Sequence, residues 1–418
     1  MAQRDTRPPF AALGGYAGPE LAALPTPCYL IDEGALTQNA EILGALAART
    51  GCKVLLAQKA FSNYDFYPLL AKHLAGTEAS GLFEARLGAE EMPSGEVHVF
   101  CAAYRADEMD ELLRYADHIV FNSPAQLAKF GPAAKAAGKS VGLRINPECS
   151  TQDGHAIYDP CAPGSRLGTT RAQWEAALVQ NPALLDLLDG LHFHTLCEQD
   201  ADALAVTLDA VAEKFGDILP RMRWLNFGGG HHITRPGYDM QTLERCIRRA
   251  RNDWGVTVYL EPGEACALNA GYLLTRVLDV VQNGDTTVAI LDASAACHMP
   301  DVIEMPYRPP LLAAGEKYER PCTVRLAGPT CLAGDVIGDY SFDAVPAVGD
   351  LLVFGDMAIY TTCKNNTFNG MPLPAIFARR ADGTIHKTVS FGYEDFKRRL
   401  GSPQSVSYTH LTLPTKRI

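Results

Sequence analysis

Short apolar runs alternate with amphipathic stretches over the first two thirds of the chain. Eight apolar runs each predict a buried strand, at 54–57, 76–80, 97–100, 118–121, 141–145, 191–194, 224–227 and 257–260. Intervening stretches rich in Ala, Leu, Glu and Lys predict helices, for example at 84–91, 124–137 and 201–215. Strands that alternate with helices form parallel sheets, and eight such units favour a closed (β/α)₈ TIM barrel over an open sheet.

The pattern changes after about residue 271, where helical periodicity becomes weak. Apolar runs separated by Gly and Pro predict a C-terminal antiparallel β domain, with strands at 277–281, 286–291, 322–326, 351–354 and 384–389. The early run at 28–31 precedes the barrel, so we expect it to pair with that domain. We therefore predict an N-terminal segment over 1–35, a barrel over 36–270, a β domain over 271–404, and a disordered or artefactual tail over 405–418.

Composition narrows the choice of compartment and partner. The chain has 418 residues, a net charge of -11 and no basic stripe, so we expect no nucleic-acid partner. Its first ten residues lack the apolar core of a signal peptide, and no run of 18 apolar residues predicts a membrane span. The 12 cysteines are then expected to be reduced thiols of a cytoplasmic protein.

Lys59 follows the apolar run at 54–57 and so stands at the end of the first barrel strand. Reactive groups of such barrels lie where strands meet the following loops. Partial desolvation there favours the neutral amine, which can form a Schiff base with an aldehyde. The alternative is a lysine that extends from the barrel mouth into solvent.

His192 and His194 are two residues apart on the sixth predicted strand, so both rings face the same side. This pattern fits a metal site, one ring stacked on a flat cofactor, or two packed histidines. The chain offers no clear set of further ligands, so we expect no metal.

Three other segments carry candidate chemistry. Gly228, Gly229 and Gly230 end the seventh strand, where glycines let backbone N–H groups surround a phosphate or simply form a tight turn. Glu261 ends the eighth strand and could keep a pyridine nitrogen protonated, or only shape the turn. Cys331 lies in a Gly/Pro loop and is either a proton donor or a passive thiol.

Together these segments resemble one family of pyridoxal-phosphate enzymes with the alanine racemase-like (fold type III) architecture. It includes ornithine, diaminopimelate and arginine decarboxylases. The resemblance runs from about Thr26 to Arg399. The motifs that carry it, in chain order, are Ala57-Gln58-Lys59, His194, Gly228-Gly229-Gly230, Glu261-Pro262-Gly263, Gly328-Pro329-Thr330-Cys331, and Tyr360 with Phe368-Asn369-Gly370.

The resemblance implies pyridoxal 5'-phosphate as cofactor and a role for each matching residue. Lys59 would carry the cofactor, His194 would stack on its ring, and Arg144 would lie under the ring. Glu261 would hold the ring nitrogen. The phosphate would be bound by the three glycines and Tyr360. Cys331 would protonate the product carbon in the partner subunit's site, which implies a homodimer with shared active sites.

Local details are similar to the branch of this family that acts on carboxylated polyamines. They lie at 160–168, 191–199, 297–301 and 331–335. This resemblance implies that Asp301, Glu304 and Asp335 hold the distal ammonium groups of the substrate, although Asp301 and Glu304 could equally lie in a solvated loop. Glu264 stands where ornithine and diaminopimelate decarboxylases usually carry a phosphate-binding arginine, so the replacement contact is open.

The function implied is decarboxylation of carboxynorspermidine or carboxyspermidine to norspermidine or spermidine and CO₂. A diaminopimelate- or ornithine-type decarboxylase is the alternative by substrate. A racemase is the alternative by chemistry, and Glu261 argues against it because racemases of this family place an arginine at the ring nitrogen. A non-catalytic cofactor-carrying barrel lacks the long β domain, and a metal hydrolase would need ligands that are not evident.

Overall fold

The computed structural model describes residues 19–152 and 159–401, so the predicted tail at 405–418 lies outside the described residues. Eight parallel strands close into a barrel in chain order, which confirms the predicted (β/α)₈ architecture. These strands are β2 (Lys53–Ala57), β3 (Gly76–Ala79), β4 (Glu96–Phe100), β5 (His118–Phe121), β6 (Ser140–Arg144), β7 (Gly190–His192), β8 (Trp224–Asn226) and β9 (Thr257–Leu260).

Helices follow most barrel strands, and several short ones lie in the loops of both domains. In chain order they are α1 (Pro19–Ala22), α2 (Glu33–Thr50), α3 (Tyr67–Leu70), α4 (Leu82–Glu91), α5 (Met109–Tyr115), α6 (Pro124–Ala136), α7 (Arg171–Gln180), α8 (Leu184–Leu187), α9 (Ala201–Phe215), α10 (Met240–Trp254), α11 (Glu264–Ala267), α12 (Ala295–His298), α13 (Asp301–Glu304), α14 (Thr361–Lys364) and α15 (Tyr393–Leu400).

Local sequence explains where the long helices begin and end. The Asp32 side chain accepts the Ala35 N–H and caps the start of α2, while Gly51, at φ 69°, ends that helix. Ser123 caps α6 in the same way and is followed by Pro124 in the first turn. These capping residues determine where α2 and α6 begin and where α2 ends.

Large side chains fill the lower part of the barrel. Leu55, Val120, Trp224 and Tyr259 form one buried cluster inside it. A Cβ atom on Gly190 would lie 2.0 Å from Cδ2 of Trp224, so only glycine leaves room for the indole ring. The barrel is therefore a packed core below its active end.

The second domain is an eight-stranded sheet built around β1 (Cys28–Asp32). Its other strands are β10 (Gly271–Asn283), β11 (Thr286–Leu291), β12 (Cys322–Ala327), β13 (Val336–Phe342), β14 (Leu351–Gly355), β15 (Ala375–Arg379) and β16 (Ile385–Val389). The strand order is β13-β12-β11-β10-β1-β15-β16, and β14 also pairs with β10.

This sheet is mixed, which corrects the prediction of a wholly antiparallel domain. β1 runs parallel to β15, and β11 runs parallel to β12, because each pair is joined by a long connection instead of a hairpin. The sequence pattern also missed β13 and β15. β1 pairs with β10 and β15, while the exact domain limits stay a prediction.

Within residues 19–152 and 159–401, no helix is long and apolar enough to cross a membrane. All twelve cysteines lie in the described part of the chain, and all are free thiols.

Candidate functional site

A cavity of about 230 Å³ opens where the barrel strands end. Lys59 lies just after β2, Arg144 ends β6, and Glu261 follows β9, so parallel strands bring these side chains to one end of the barrel. The residues that line the cavity are Ala57, Lys59, Glu78, Ser80, Phe100, Cys101, Ala102, Arg144, Arg166, Leu167, His192, His194 and Glu261. Four predicted site residues, Lys59, Arg144, His194 and Glu261, therefore share one cavity.

Glu261 is held from two sides within the barrel. Its Oε2 atom lies 3.0 Å from Nε2 of His192, and its Oε1 atom accepts a 2.6 Å hydrogen bond from the Asn226 amide. Burial alone acts to raise the pKa of Glu261, but the His192 and Asn226 hydrogen bonds outweigh it and lower the pKa overall. The carboxylate is therefore ionised and fixed in direction.

His194 is half-buried, and it contacts the glycine turn. Its Nδ1 atom accepts the Gly229 N–H at 3.2 Å, which puts the proton of a neutral ring on Nε2. Burial, together with the charges of Lys59 and Arg144, lowers the pKa of His194 well below its ordinary value. His194 is therefore a neutral, oriented ring at the cavity wall.

Arg144 is the buried cation of this site. One of its nitrogens donates to the carbonyl of His194 at 3.2 Å, and its guanidinium stacks 4.5 Å from the centre of the Phe100 ring. Burial lowers the pKa of Arg144 to about 10, which leaves it charged at neutral pH. The aromatic face and the carbonyl both stabilise that charge.

The three glycines form a turn that no other residue could occupy. A Cβ on Gly229 would lie 2.5 Å from the Glu261 carbonyl oxygen, and one on Gly230 would lie 2.0 Å from the Leu196 carbonyl oxygen. Gly228 and Gly230 also have positive φ values of 69° and 80°. The turn is therefore packed tightly against neighbouring carbonyl groups, the Gly228 N–H donates to the Asn226 side chain, and the three glycines do not line the described cavity.

Glu78 is a site residue that the sequence pattern missed. It lies in the short strand β3, is only 5% exposed, and lines the cavity with Lys59. Burial, and then the charge of Glu261, raise its pKa well above the ordinary value, so its carboxyl group is protonated. The sequence signal for Glu78 was a carboxylate inside a four-residue strand. Asn226 was missed as well, and its signal was an amide two residues before the first glycine of the turn.

Tyr360 approaches the cavity from the second domain. Its backbone N–H donates to the carbonyl of Ala60 at 2.8 Å, which brings it beside the segment that follows Lys59. Burial and the nearby Glu264 raise the pKa of Tyr360 well above its ordinary value, so the phenol keeps its proton. Glu264 stands at the position where ornithine and diaminopimelate decarboxylases usually carry an arginine. Its Oε1 atom lies 3.9 Å from Nε2 of His232.

The three predicted substrate carboxylates have partners in this chain. Asp301 and Glu304 both pair with Lys364, the latter at 2.8 Å. Asp335 is 3% exposed, and its two oxygens accept hydrogen bonds from the backbone and from hydroxyl groups. This differs from the expectation that Asp335 would face an ammonium group. Cys331 is exposed and, within the described residues, does not line the cavity.

A second polar cluster lies at the opposite end of the barrel, where β4 and β5 begin. Glu96, His98 and His118 each offer one possible metal ligand. The two imidazole rings stack 3.9 Å apart and nearly parallel, so their lone pairs do not converge on one point. Lys53 already neutralises Glu96, and Tyr259 donates to it at 2.9 Å. We therefore regard this cluster as a hydrogen-bonded plug of the barrel.

Sequence and structure comparisons place this geometry among known enzymes. The chain is similar to the carboxyaminopropylagmatine decarboxylase of Synechocystis sp., with 41% identity covering 92% of this chain and 97% of the relative. It is 40% identical to the carboxynorspermidine/carboxyspermidine decarboxylase of Campylobacter jejuni, covering 90% and 98%. The crystal structure of the Campylobacter jejuni carboxynorspermidine decarboxylase complexed with norspermidine superposes with a TM-score of 0.82, at 38% identity, covering 90% and 100%.

The family model described as "Pyridoxal-dependent decarboxylase, C-terminal sheet domain" matches residues 28–358. The cavity suits that cofactor, because its lining combines the Lys59 amine, the buried Glu261 carboxylate and the Arg144 cation. The chain belongs to the pyridoxal-dependent decarboxylase family, it is a lyase, and its cofactor is pyridoxal phosphate.

Proposed function

We propose that this chain decarboxylates carboxynorspermidine and carboxyspermidine and releases norspermidine or spermidine with CO₂. The observation that carries the proposal is its likeness, over nearly the whole chain, to enzymes named for these substrates, one of them solved with norspermidine. Diaminopimelate decarboxylases are more distant relatives, at 25% identity for the Deinococcus radiodurans enzyme. A racemase is disfavoured because a carboxylate, Glu261, stands where racemases of this family place an arginine at the ring nitrogen.

Carboxyaminopropylagmatine is a second candidate substrate, because the relative named for it is as similar as those named for carboxynorspermidine. The two substrates differ at the distal end, where one carries a guanidinium group and the other an ammonium group. A planar guanidinium prefers two oxygens side by side, whereas an ammonium acts as a point charge. Preference between them therefore depends on the carboxylates around the distal end.

The cofactor would be held by residues of the barrel and one tyrosine of the second domain. When bound, pyridoxal phosphate supplies an electron sink for the electron pair that the departing CO₂ leaves behind. Lys59 would carry it, and Glu261 would keep the ring nitrogen protonated. His194 and Arg144 would orient the ring from the cavity wall. The glycine turn at 228–230 and the Tyr360 hydroxyl, which lie outside the described cavity lining, would bind the phosphate.

A homodimer with shared active sites would bring Cys331 into reach of the reacting carbon. Cys331 is exposed and does not line the described cavity of its own chain. Its neighbours Leu332 and Phe368 are also exposed, at 42% and 45%, which suits an interface. Mixing Lys59→Ala with Cys331→Ser chains should then restore activity to about a quarter of the wild-type value, since one site of each mixed dimer is complete. Mixed chains that stay inactive contradict the shared site.

Asp301 and Glu304 are the proposed contacts for the distal ammonium group of the substrate. They lie on α13 beside Tyr360, whose pKa is raised in part by Asp301. Lys364 occupies them in this structure, so a substrate ammonium would compete with that lysine.

A cytoplasmic location is also proposed, because twelve free thiols suit a reducing compartment.

A competition assay tests the proposed activity. Purified holoenzyme is incubated with carboxynorspermidine, carboxyspermidine, carboxyaminopropylagmatine, meso-diaminopimelate, L-ornithine and L-alanine, and CO₂ release and racemisation are measured. We expect the highest kcat/KM for the first two. A higher kcat/KM for carboxyaminopropylagmatine would favour the second candidate, and turnover of diaminopimelate or ornithine alone would contradict both.

A further inference from the structure

Asp335 is the centre of a hydrogen-bond network in the second domain. Its Oδ1 atom accepts the Ala295 N–H at 2.7 Å, and its Oδ2 atom accepts the Thr330 hydroxyl at 2.6 Å. The Ser294 hydroxyl lies 3.0 Å and 2.9 Å from the two oxygens. A buried carboxylate is stable only when donors surround it in this way. The network therefore ties the start of α12 to the loop 328–335.

That loop is folded tightly around the carboxylate. The Gly328 N–H donates to the Asp335 carbonyl at 2.9 Å, which closes the loop on itself. A Cβ atom on Gly328 would lie 2.2 Å from Oδ2 of Asp335, so the close approach requires glycine at this position. Thr330, which Asp335 binds through both its hydroxyl and its N–H, immediately precedes Cys331.

A second contact fixes the other side of Cys331. The Cys331 N–H donates to Oδ1 of Asn369 at 2.8 Å. The segment of Asn369 is in turn bound to α12, since Asn366 donates from its backbone to Cys297 at 3.0 Å and from its side chain to Ala296 at 2.8 Å. Thr330 and Asn369 therefore both connect Cys331 to the segment that begins at Ser294, which Asp335 binds.

We infer that Asp335 is a positioning residue that sets the location of the Cys331 thiol, acting through Thr330 and through the Ser294 segment. Within its own chain the Cys331 side chain is exposed, so its position depends on the backbone that carries it. This inference rests on the proposed function, in which Cys331 delivers a proton to the product carbon. It replaces the expectation that Asp335 binds substrate.

The test uses the holoenzyme and the variants Asp335→Asn, Thr330→Val, Cys331→Ser and Asp335→Asn with Cys331→Ser. Asp189→Asn is the control, because Asp189 is a buried carboxylate of the barrel that accepts from Lys135 and the Val141 N–H, away from this loop. The rate of Cys331 alkylation by iodoacetamide is measured by peptide mass spectrometry, with kcat, KM and Tm for each variant.

We expect Asp335→Asn to change the Cys331 alkylation rate and to lower kcat about 10- to 100-fold, the size of loss that a misplaced group causes, with KM within about twofold. The double variant should be no slower than Cys331→Ser alone. Asp189→Asn should lower Tm and leave the alkylation rate unchanged. Thr330→Val removes only one hydroxyl group, so its Cys331 alkylation rate tests the inference if Asp335→Asn does not fold.

An unchanged Cys331 alkylation rate in both loop variants would overturn the inference. So would kcat losses that multiply in the double variant, since independent effects do not share one route. If Cys331→Ser keeps full kcat, the proposed proton-donor role fails, whereas the alkylation rate still reports whether Asp335 positions the thiol.

Discussion

Nε2 of His192 lies 3.0 Å from Oε2 of Glu261 within the barrel, and both side chains are at most 5% exposed. Burial lowers the pKa of His192, so the ring is neutral and its Nε2–H donates a hydrogen bond to the carboxylate. The Asn226 amide donates to the other oxygen. Two neutral donors thus orient the Glu261 carboxylate, which is the proposed contact to the cofactor ring. Neither donor adds a charge that competes with that contact.

Glu261→Gln should lower kcat strongly because the amide cannot keep a ring nitrogen protonated. We expect a loss of about 100- to 1000-fold, as for other preorganised electrostatic groups. His192→Phe should cost less, since it removes only one hydrogen bond that directs the carboxylate. Steady-state kinetics and the cofactor absorbance spectrum measure both changes.

Asn226→Ala is the matched variant for the second donor. Equal kcat values for wild type and Glu261→Gln would contradict the assignment of Glu261. A larger loss from His192→Phe than from Glu261→Gln would show that His192 itself is the more important group.

The pH dependence of stability should report the protonated state of Glu78. Its pKa is raised in the fold by burial and by Glu261. Above the unfolded value of about 4.3, folding then has to take up a proton, so this residue lowers stability as the pH rises. Glu78→Gln lacks that cost and keeps nearly the same shape.

The Tm of Glu78→Gln should match wild type near pH 4.5 and exceed it increasingly toward pH 8. Differential scanning calorimetry on both proteins across this range measures the effect, with Glu213→Gln, at an exposed carboxylate of α9, as the control. A variant that is less stable than wild type at pH 8 would mean that Glu78 is ionised in the fold.

Much of the barrel site could be predicted because its residues directly follow apolar strands. Lys59, Glu261 and the glycines at 228–230 each lie just after the end of a strand, and parallel strands bring such ends together. Glu78 and Asn226 could not be found in the same way, because they lie inside very short strands where no alternation is visible. Their roles depend on neighbours across the barrel.

The second domain was harder to predict because its contacts join distant segments. Asp335 follows a cysteine loop and looks like an accessible acid, yet its partner Ser294 lies 41 positions earlier. The parallel pairing of β1 with β15 likewise joins distant segments, such as Cys28 with Ala375. Periodicity reports which face of a strand is buried, and it says nothing about which distant strand lies beside it.

Lys364 should control access of the distal substrate ammonium to Asp301 and Glu304. Lys364→Gln removes their shared cation, and we expect KM for carboxynorspermidine to fall about fivefold with kcat unchanged, as suits a partly exposed pair worth about 1 kcal/mol. Asp301→Asn should raise KM instead. Steady-state kinetics at low and high salt separates these effects, because screening weakens exposed charges.

An increase in KM for Lys364→Gln would contradict this competition and would show that the lysine, not the carboxylates, meets the substrate. Arg325→Gln, which breaks a pair with Asp339 elsewhere in the same domain, serves as the control and should leave KM unchanged.

The most direct test of the account is to reduce the holoenzyme with borohydride and map the labelled peptide by mass spectrometry. We predict one pyridoxyl group per chain, attached to Nζ of Lys59, and none in Lys59→Ala. Attachment at another lysine, or an unlabelled protein that still turns over substrate, would contradict the proposed centre of the active site.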